Sequence, residues 1–109
     1  MAAKYVLSRS GSQYRFVLKA GNGETILTSE RYTQKAGAEN GIASVKANAA
    51  NDARYVRKSA SDGSPMFNLR SGNNEVIGTS ETYSSEAARE AGIASVKANG
   101  PSAPTEDVT

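Results

Sequence analysis

The segment Gly41–Asn48, GIASVKAN, recurs unchanged as Gly92–Asn99. The duplication reaches further: Phe16–Asn48 matches Phe67–Asn99 without a gap, with roughly twenty of 33 positions identical. A chain of 109 residues is thus two copies of one unit of about 51 residues. A unit that small buries too little surface to be robust alone. The copies are therefore expected to share one core, as a single domain over residues 1–100. The first repeat covers 1–52 and the second 53–100, and the polar, proline-containing residues 101–109 are expected to be a disordered tail.

Within each copy the hydrophobic period changes from two to 3.6. Lys4–Ser8 is a short β-prone run. Tyr14, Phe16 and Leu18 then alternate with Arg15, Val17 and Lys19, the pattern of a strand with one buried face. Asn22-Gly23 predicts a type I′ hairpin turn, and Glu24–Glu30 returns as the third strand. Ala38, Ile42, Val45 and Ala49 follow at helical spacing, with Thr33 as the expected N-cap. Gly41 inside this helix costs roughly 1 kcal/mol relative to alanine, which implies close approach to a neighbouring element. The second copy repeats the plan: strands at Ala53–Ser59, Met66–Ser71 and Glu75–Glu81, then a helix from about Ser85 to Asn99 with Ser84 as N-cap. The predicted fold is α+β: tandem βββα repeats form one mainly antiparallel sheet of about six strands, with two helices on one face and pseudo-twofold symmetry. The other face is expected to be open to solvent.

The chain has no cysteine and no histidine. Disulfides, thiol nucleophiles, cysteine–histidine zinc sites and Ser-His-Asp triads are thereby excluded. No metal site or cofactor is expected. No apolar run approaches the roughly 20 residues of a membrane span, so a cytoplasmic protein is expected. The net charge of +2 is small, and the pI near 9.0 is weak evidence for nucleic acid.

The repeated unit resembles the YegP-like family of small bacterial proteins. The match rests on Phe16-Val17-Leu18-Lys19-Ala20-Gly21-Asn22-Gly23-Glu24, on Thr28-Ser29-Glu30 with Tyr32, and on Gly41–Val45. The second copy keeps Phe67-Asn68-Leu69-Arg70-Ser71, Thr79-Ser80-Glu81 with Tyr83, and Gly92–Val96. The resemblance implies a β-β-β-α-β unit, in tandem or as a dimer of single copies, with end strands exchanged between the halves. On that pattern Ala53–Lys58 is the exchanged strand leaving the first helix. The proline-rich segment after the second helix departs from the pattern and is not expected to form the matching strand. The family implies no activity.

Two groups of residues are candidate sites. Ser29, Glu30 and Tyr32 recur as Ser80, Glu81 and Tyr83, a carboxylate, hydroxyl and phenol at a strand-to-helix junction. Such a glutamate could act as a general base. The structural reading is favoured, with the glutamate beside a helix N-terminus and the tyrosine stapling the loop. The second group is basic: Arg15, Lys19 and Arg70, with Arg54 and Lys58, on the open sheet face. These suit an anionic partner, protein or single-stranded nucleic acid; the alternative is a charged face that keeps the sheet soluble. The expectation is a non-enzymatic binding or interaction domain. Weak single-stranded nucleic-acid binding is the first alternative, and a small-molecule enzyme with a carboxylate base the second. The tandem copies point to a monomer, with strand exchange between chains giving a dimer instead.

Overall fold

The computed structural model describes residues 2–109. The chain forms β1 (Lys4–Ser10), β2 (Gln13–Lys19), β3 (Thr25–Thr28) and α1 (Lys35–Asn48). A single 3₁₀ turn at Asp52–Arg54 leads into β4 (Tyr55–Ser59), followed by β5 (Pro65–Arg70), β6 (Val76–Thr79), α2 (Glu86–Asn99) and β7 (Thr105–Asp107). All strands join one sheet of seven, in the order β4-β5-β6-β3-β2-β1-β7. Every pairing is antiparallel except β1 with β7. The pseudo-twofold axis passes between β3 and β6, where Thr28 faces its own twin, Thr79.

Both repeats fill one core. Tyr5, Phe16, Leu18, Leu27, Phe67 and Leu69 are fully or almost fully buried, together with Val45 of α1 and Val96 of α2. Each helix reaches over the axis: α1 packs on β1 and β2 and also on β5 and β6, and α2 packs on β5 and on β3. Strict symmetry fails at the seam. Leu27 and Gly78 are equivalent positions, and a Cβ on Gly78 would stand 2.6 Å from two carbons of Leu27. Two leucines cannot both occupy the middle of a close-packed core, so one copy keeps the leucine and the other yields.

Several expectations need correction. The tail is not disordered: β7 lies parallel to β1, with Tyr5↔Thr105, Val6↔Glu106 and Leu7↔Asp107 in register. That strand raises the count from about six to seven. The position of β7 follows from the repeat. Residues 105–107 are the equivalents of 54–56, which enter β4 and pair antiparallel with β5. The equivalent place beside β2 is already taken by β1, so β7 is displaced one strand outward. Each helix therefore hands the chain to the other half, α1 to β4 and α2 to β7.

Local signals were also misread. The N-caps fall one residue later than Thr33 and Ser84. Gln34 makes no side-chain cap, while Ser85 Oγ accepts from the Ala88 N–H. The hairpin is not type I′, because only Gly23 takes positive φ, with its N–H bonded to the Ala20 carbonyl and a bulge after Leu18. In the second copy Asn74 holds that left-handed position, at φ 70°, a conformation asparagine tolerates better than most residues.

Two measurements test these packing arguments. Gly78→Ala is expected to lower the unfolding free energy by about 1–3 kcal/mol in urea denaturation. Leu27→Ala alone costs about 2–5 kcal/mol. The double variant falls short of the sum, because the shortened side chain makes room for the new methyl. The second concerns β7, which is tied to α1 by the Lys35–Asp107 ion pair at 2.6 Å. The hydrogen bond from Lys35, then those from Thr109, hold the Asp107 carboxyl well below the usual carboxylate range. A depressed folded-state value means that the stabilisation is complete above about pH 4 and is lost as pH falls below it. In an acid titration followed by NMR, the Val108 amide, which donates to the Leu7 carbonyl, is expected to lose protection before the β2–β3 amides do.

Candidate functional site

The repeat-shared Ser-Glu-x-Tyr group is drawn together by the turn from sheet to helix. Ser29 Oγ accepts from the Phe16 N–H at 2.9 Å and donates to the Glu30 carbonyl at 2.7 Å. Ser80 repeats this with the Phe67 N–H and the Glu81 carbonyl at the same distances. The tyrosines lie flat under the helices. Tyr32 stacks on Phe16 with ring centroids 6.3 Å apart, and Tyr83 on Phe67 likewise at 6.3 Å. Their hydroxyl ends sit against the two helix glycines, where a Cβ on Gly41 would come 2.9 Å from Phe16 and closer still to Tyr32. A Cβ on Gly92 would likewise collide with Tyr83. The glycines are therefore seats for the rings, which is the close approach their position implied.

Glu30 and Glu81, by contrast, point to solvent. Burial, then Glu30 and Glu75, pushes the Tyr32 phenol up; burial, then Glu81 and Glu24, does the same for Tyr83. Each tyrosine thus stands between a glutamate of its own repeat and a turn glutamate of the other. Around Tyr83 this makes an open cleft of about 700 Å³, lined by Glu24, Ile26, Glu81, Ala91 and Gly92 among others. The sequence reading missed Glu24 and Glu75, although both are identical repeat positions and that identity was the available signal. The serines and tyrosines are structural in what they touch. A hydroxyl, a phenol and exposed carboxylates in a shallow cleft offer no nucleophile held by a base, and no group of three metal-ligating side chains occurs among the described residues.

The basic residues lie on the opposite side of the sheet. Strand register threads one row across all seven strands: Val56, Asn68, Thr79, Thr28, Val17, Val6 and Glu106. Arg15 and Arg70 fall on one side of this row; Lys4, Lys19 and Lys58 fall on the other. The candidates are thus brought to one face but not into one continuous stripe. Lys4 is directly opposite Lys19. Arg54, in the 3₁₀ turn one residue before the Tyr55↔Leu69 pair, and Arg70, one residue after it, lie at the corresponding end of the second repeat. Like charges in such positions repel. In the first half the repulsion is relieved by β7, whose Glu106 reaches Lys4 at 3.0 Å. In the second half nothing does so. Among the described residues, Arg15, Lys19, Arg54, Lys58 and Arg70 take no part in any ion pair. The Nε atoms of Arg54 and Arg70 are moreover shielded from solvent without a hydrogen-bond partner.

The helix side is electrostatically the reverse. Arg57 bridges Asp52 at 3.2 Å and Glu90 at 2.8 Å, and Lys97 reaches Asp52 at 2.6 Å. Glu90 and Lys97 therefore tie α2 to the entry of β4. Lys46 lies 5.6 Å from the centre of the Tyr5 ring, as Lys97 does from that of Tyr55, but Lys46 takes part in no ion pair among the described residues.

Ser80→Ala is expected to destabilise by about 1–3 kcal/mol, since it strands the Phe67 N–H in a buried place. Glu30→Gln and Glu81→Gln should each stay within about 0.5 kcal/mol. Urea denaturation of the three variants separates a structural serine from an idle carboxylate.

Comparison with known proteins gives consistent matches. The family model described as "Domain of unknown function (DUF1508)" matches twice, over residues 10–55 and 60–107. A UPF0339 protein of Bordetella pertussis is 59% identical over 109 residues, covering 100% of this chain and 98% of the relative. The UPF0339 protein YegP of Escherichia coli K12 is 56% identical, with both chains covered in full. The solution NMR structure of a UPF0339 protein from Shewanella oneidensis superposes with a TM-score of 0.93 at 53% identity, covering 100% of this chain and 93% of that one. That of yegP from E. coli, described as a protein of unknown function, gives 0.93 at 55% identity, covering 100% and 95%.

Proposed function

The chain belongs to the DUF1508 family of unknown function, and on that basis we propose that it is a non-enzymatic interaction domain whose open sheet face receives an anionic partner. The observation that carries this reading is the Arg54–Arg70 pair. Two guanidinium groups share neighbouring positions, neither has a carboxylate, and both hold a shielded Nε without an acceptor. Buried polar atoms without partners are rare enough to require an explanation. An anion beside the two guanidinium groups would offset the repulsion through charge-assisted bonds to their outer nitrogens. The equivalent lysine pair supports the same logic, because Glu106 already answers Lys4 there.

The face favours an acidic protein over single-stranded nucleic acid. Nucleic-acid platforms add aromatic rings on which bases stack. Here the sheet aromatics Tyr5, Phe16, Tyr55 and Phe67 are all buried on the helix side, and the row across the open face is Val, Asn and Thr in its middle.

The test is fluorescence anisotropy with a labelled polyglutamate and a labelled single-stranded DNA of equal charge, at 50 and 200 mM salt. Polyglutamate is expected to bind at low salt, to weaken by about tenfold or more at the higher salt as screening shortens the electrostatic range, and to be lost in Arg54→Ala with Arg70→Ala. Unchanged affinity in that double variant overturns the reading. Tighter, base-dependent binding of DNA would transfer the face to nucleic acid.

A further inference from the structure

We propose that the outer edge of β4 is a docking site for an extended segment of a partner protein, added as an eighth strand with an acidic side chain on the open face. The inference rests on the anionic-partner reading and names how such a partner is held.

The molecule carries a template for this event. At the other end of the sheet, β7 is an extended acidic segment seated on the edge of β1. The Tyr5 N–H donates to the Pro104 carbonyl at 2.8 Å, and the Val108 N–H to the Leu7 carbonyl at 2.9 Å. Between them Glu106 lies opposite Val6 and reaches Lys4. The repeat places Tyr55, Val56 and Arg57 where Tyr5, Val6 and Leu7 stand in the first half. There the strand order ends: β4 pairs with β5 alone, and no strand among the described residues pairs with its outer side. An uncovered edge presents unpaired N–H and C=O groups, which extended peptides use for strand addition.

Charge selects the occupant. Val56, the twin of Val6, is followed on the open face by Lys58 and preceded, in the 3₁₀ turn, by Arg54, neither of them ion-paired. A glutamate in the place of Glu106 would therefore meet two free cations where Glu106 meets one. On the helix side Arg57 is already held by Asp52 and Glu90, so a carboxylate there would gain nothing. The site is also shorter than its model at β1, because the Tyr55 N–H is used by the Asp52 carbonyl. Addition can begin at the Tyr55 carbonyl and continue over Arg57. A second copy paired β4 to β4 is disfavoured, since Arg57 and Lys58 would be set close to their own copies.

The test is a ¹⁵N NMR titration of the full-length protein with a synthetic peptide of the sequence Ser102–Thr109, at 50 mM salt. The expected result is shifts concentrated at Val56–Ser59 and slowed hydrogen exchange of the Arg57 amide. A peptide with lysine in place of its glutamate should bind about tenfold or more weaker, as should the Lys58→Glu protein; its own spectrum reports whether it is folded. Three outcomes overturn the proposal: no shifts along β4, shifts confined to Lys4–Ser10 as the peptide displaces β7, or an Arg57 amide already protected in a concentration-dependent dimer. If polyglutamate still binds in a manner dependent on Arg54 and Arg70 while β4 stays silent, only the edge proposal fails. If neither occurs, the anionic-partner reading fails with it.

Discussion

Each repeat closes the other's helix. The Tyr55 hydroxyl, from the second copy, donates to the Ala49 carbonyl at the end of α1 at 2.7 Å. The Tyr5 hydroxyl, from the first, donates to the Gly100 carbonyl at the end of α2 at 2.6 Å. A helix C-terminus leaves carbonyls without intrahelical partners, and here the required donor comes from across the pseudo-twofold axis. Both phenols are buried and pushed far above their ordinary range by desolvation, so they remain donors at any ordinary pH. Neither Ala49 nor Gly100 takes this side-chain donor from its own copy, and neither helix rests on its own strands alone. The two units are thereby bound into one folding entity, as the size of the repeat requires.

Internal symmetry cannot be carried to the axis itself or to the ends of the sheet. At the axis, Leu27 and Gly78 show that one place holds only one side chain. At the ends, the first helix is followed by a strand with a vacant neighbour to pair with, and the second by a strand that finds its place occupied. Displacement of β7 outward covers one edge and leaves the other uncovered. The asymmetry is a consequence of joining two copies in a line, because a chain with a beginning and an end cannot fill both edges in the same way.

Much of this was legible in the sequence. The duplication, the alternation of Tyr14–Lys19 and the stripe Ala38-Ile42-Val45 carry the fold, because they record which faces are buried. Gly41 and Gly92 announced a close approach, though not that Tyr32 and Tyr83 were the approaching groups. What could not be read is what depends on long-range register. The placing of Lys58 and Arg70 on opposite sides of the open-face row arises from the β4–β5–β6 pairing, and the strands around Arg54 and Lys58 are too short to phase from sequence. Residues 101–109 read as disorder for a related reason. Prolines and charges are poor local strand formers, and Thr105–Asp107 is extended because β1 offers an edge and Lys4 and Lys35 offer counter-charges.

Charge is divided between the two sides of the sheet in a way that burial alone does not require. On the helix side, Arg57, Lys97 and Lys35 each have a carboxylate, and these pairs fasten α2 to β4 and β7 to α1. Exposed pairs of this kind contribute little individually, and Glu39 and Lys46 of α1 stand outside them. Among the described residues, Arg15, Lys19, Arg54, Lys58 and Arg70 stand without ion-pair partners, and the carboxylate that reaches Lys4 arrives with β7. Edge protection accounts for Lys58 on an outer strand. It does not account for Arg70 on β5, which has strands on both sides, nor for the shielded, unpartnered Nε atoms of Arg54 and Arg70. A surface that only needed to stay soluble could have used glutamate opposite arginine at the same positions, with attraction in place of repulsion. Repulsion among these unpaired cations is what an external anion would relieve, and that is the physical ground on which the face is proposed for a partner.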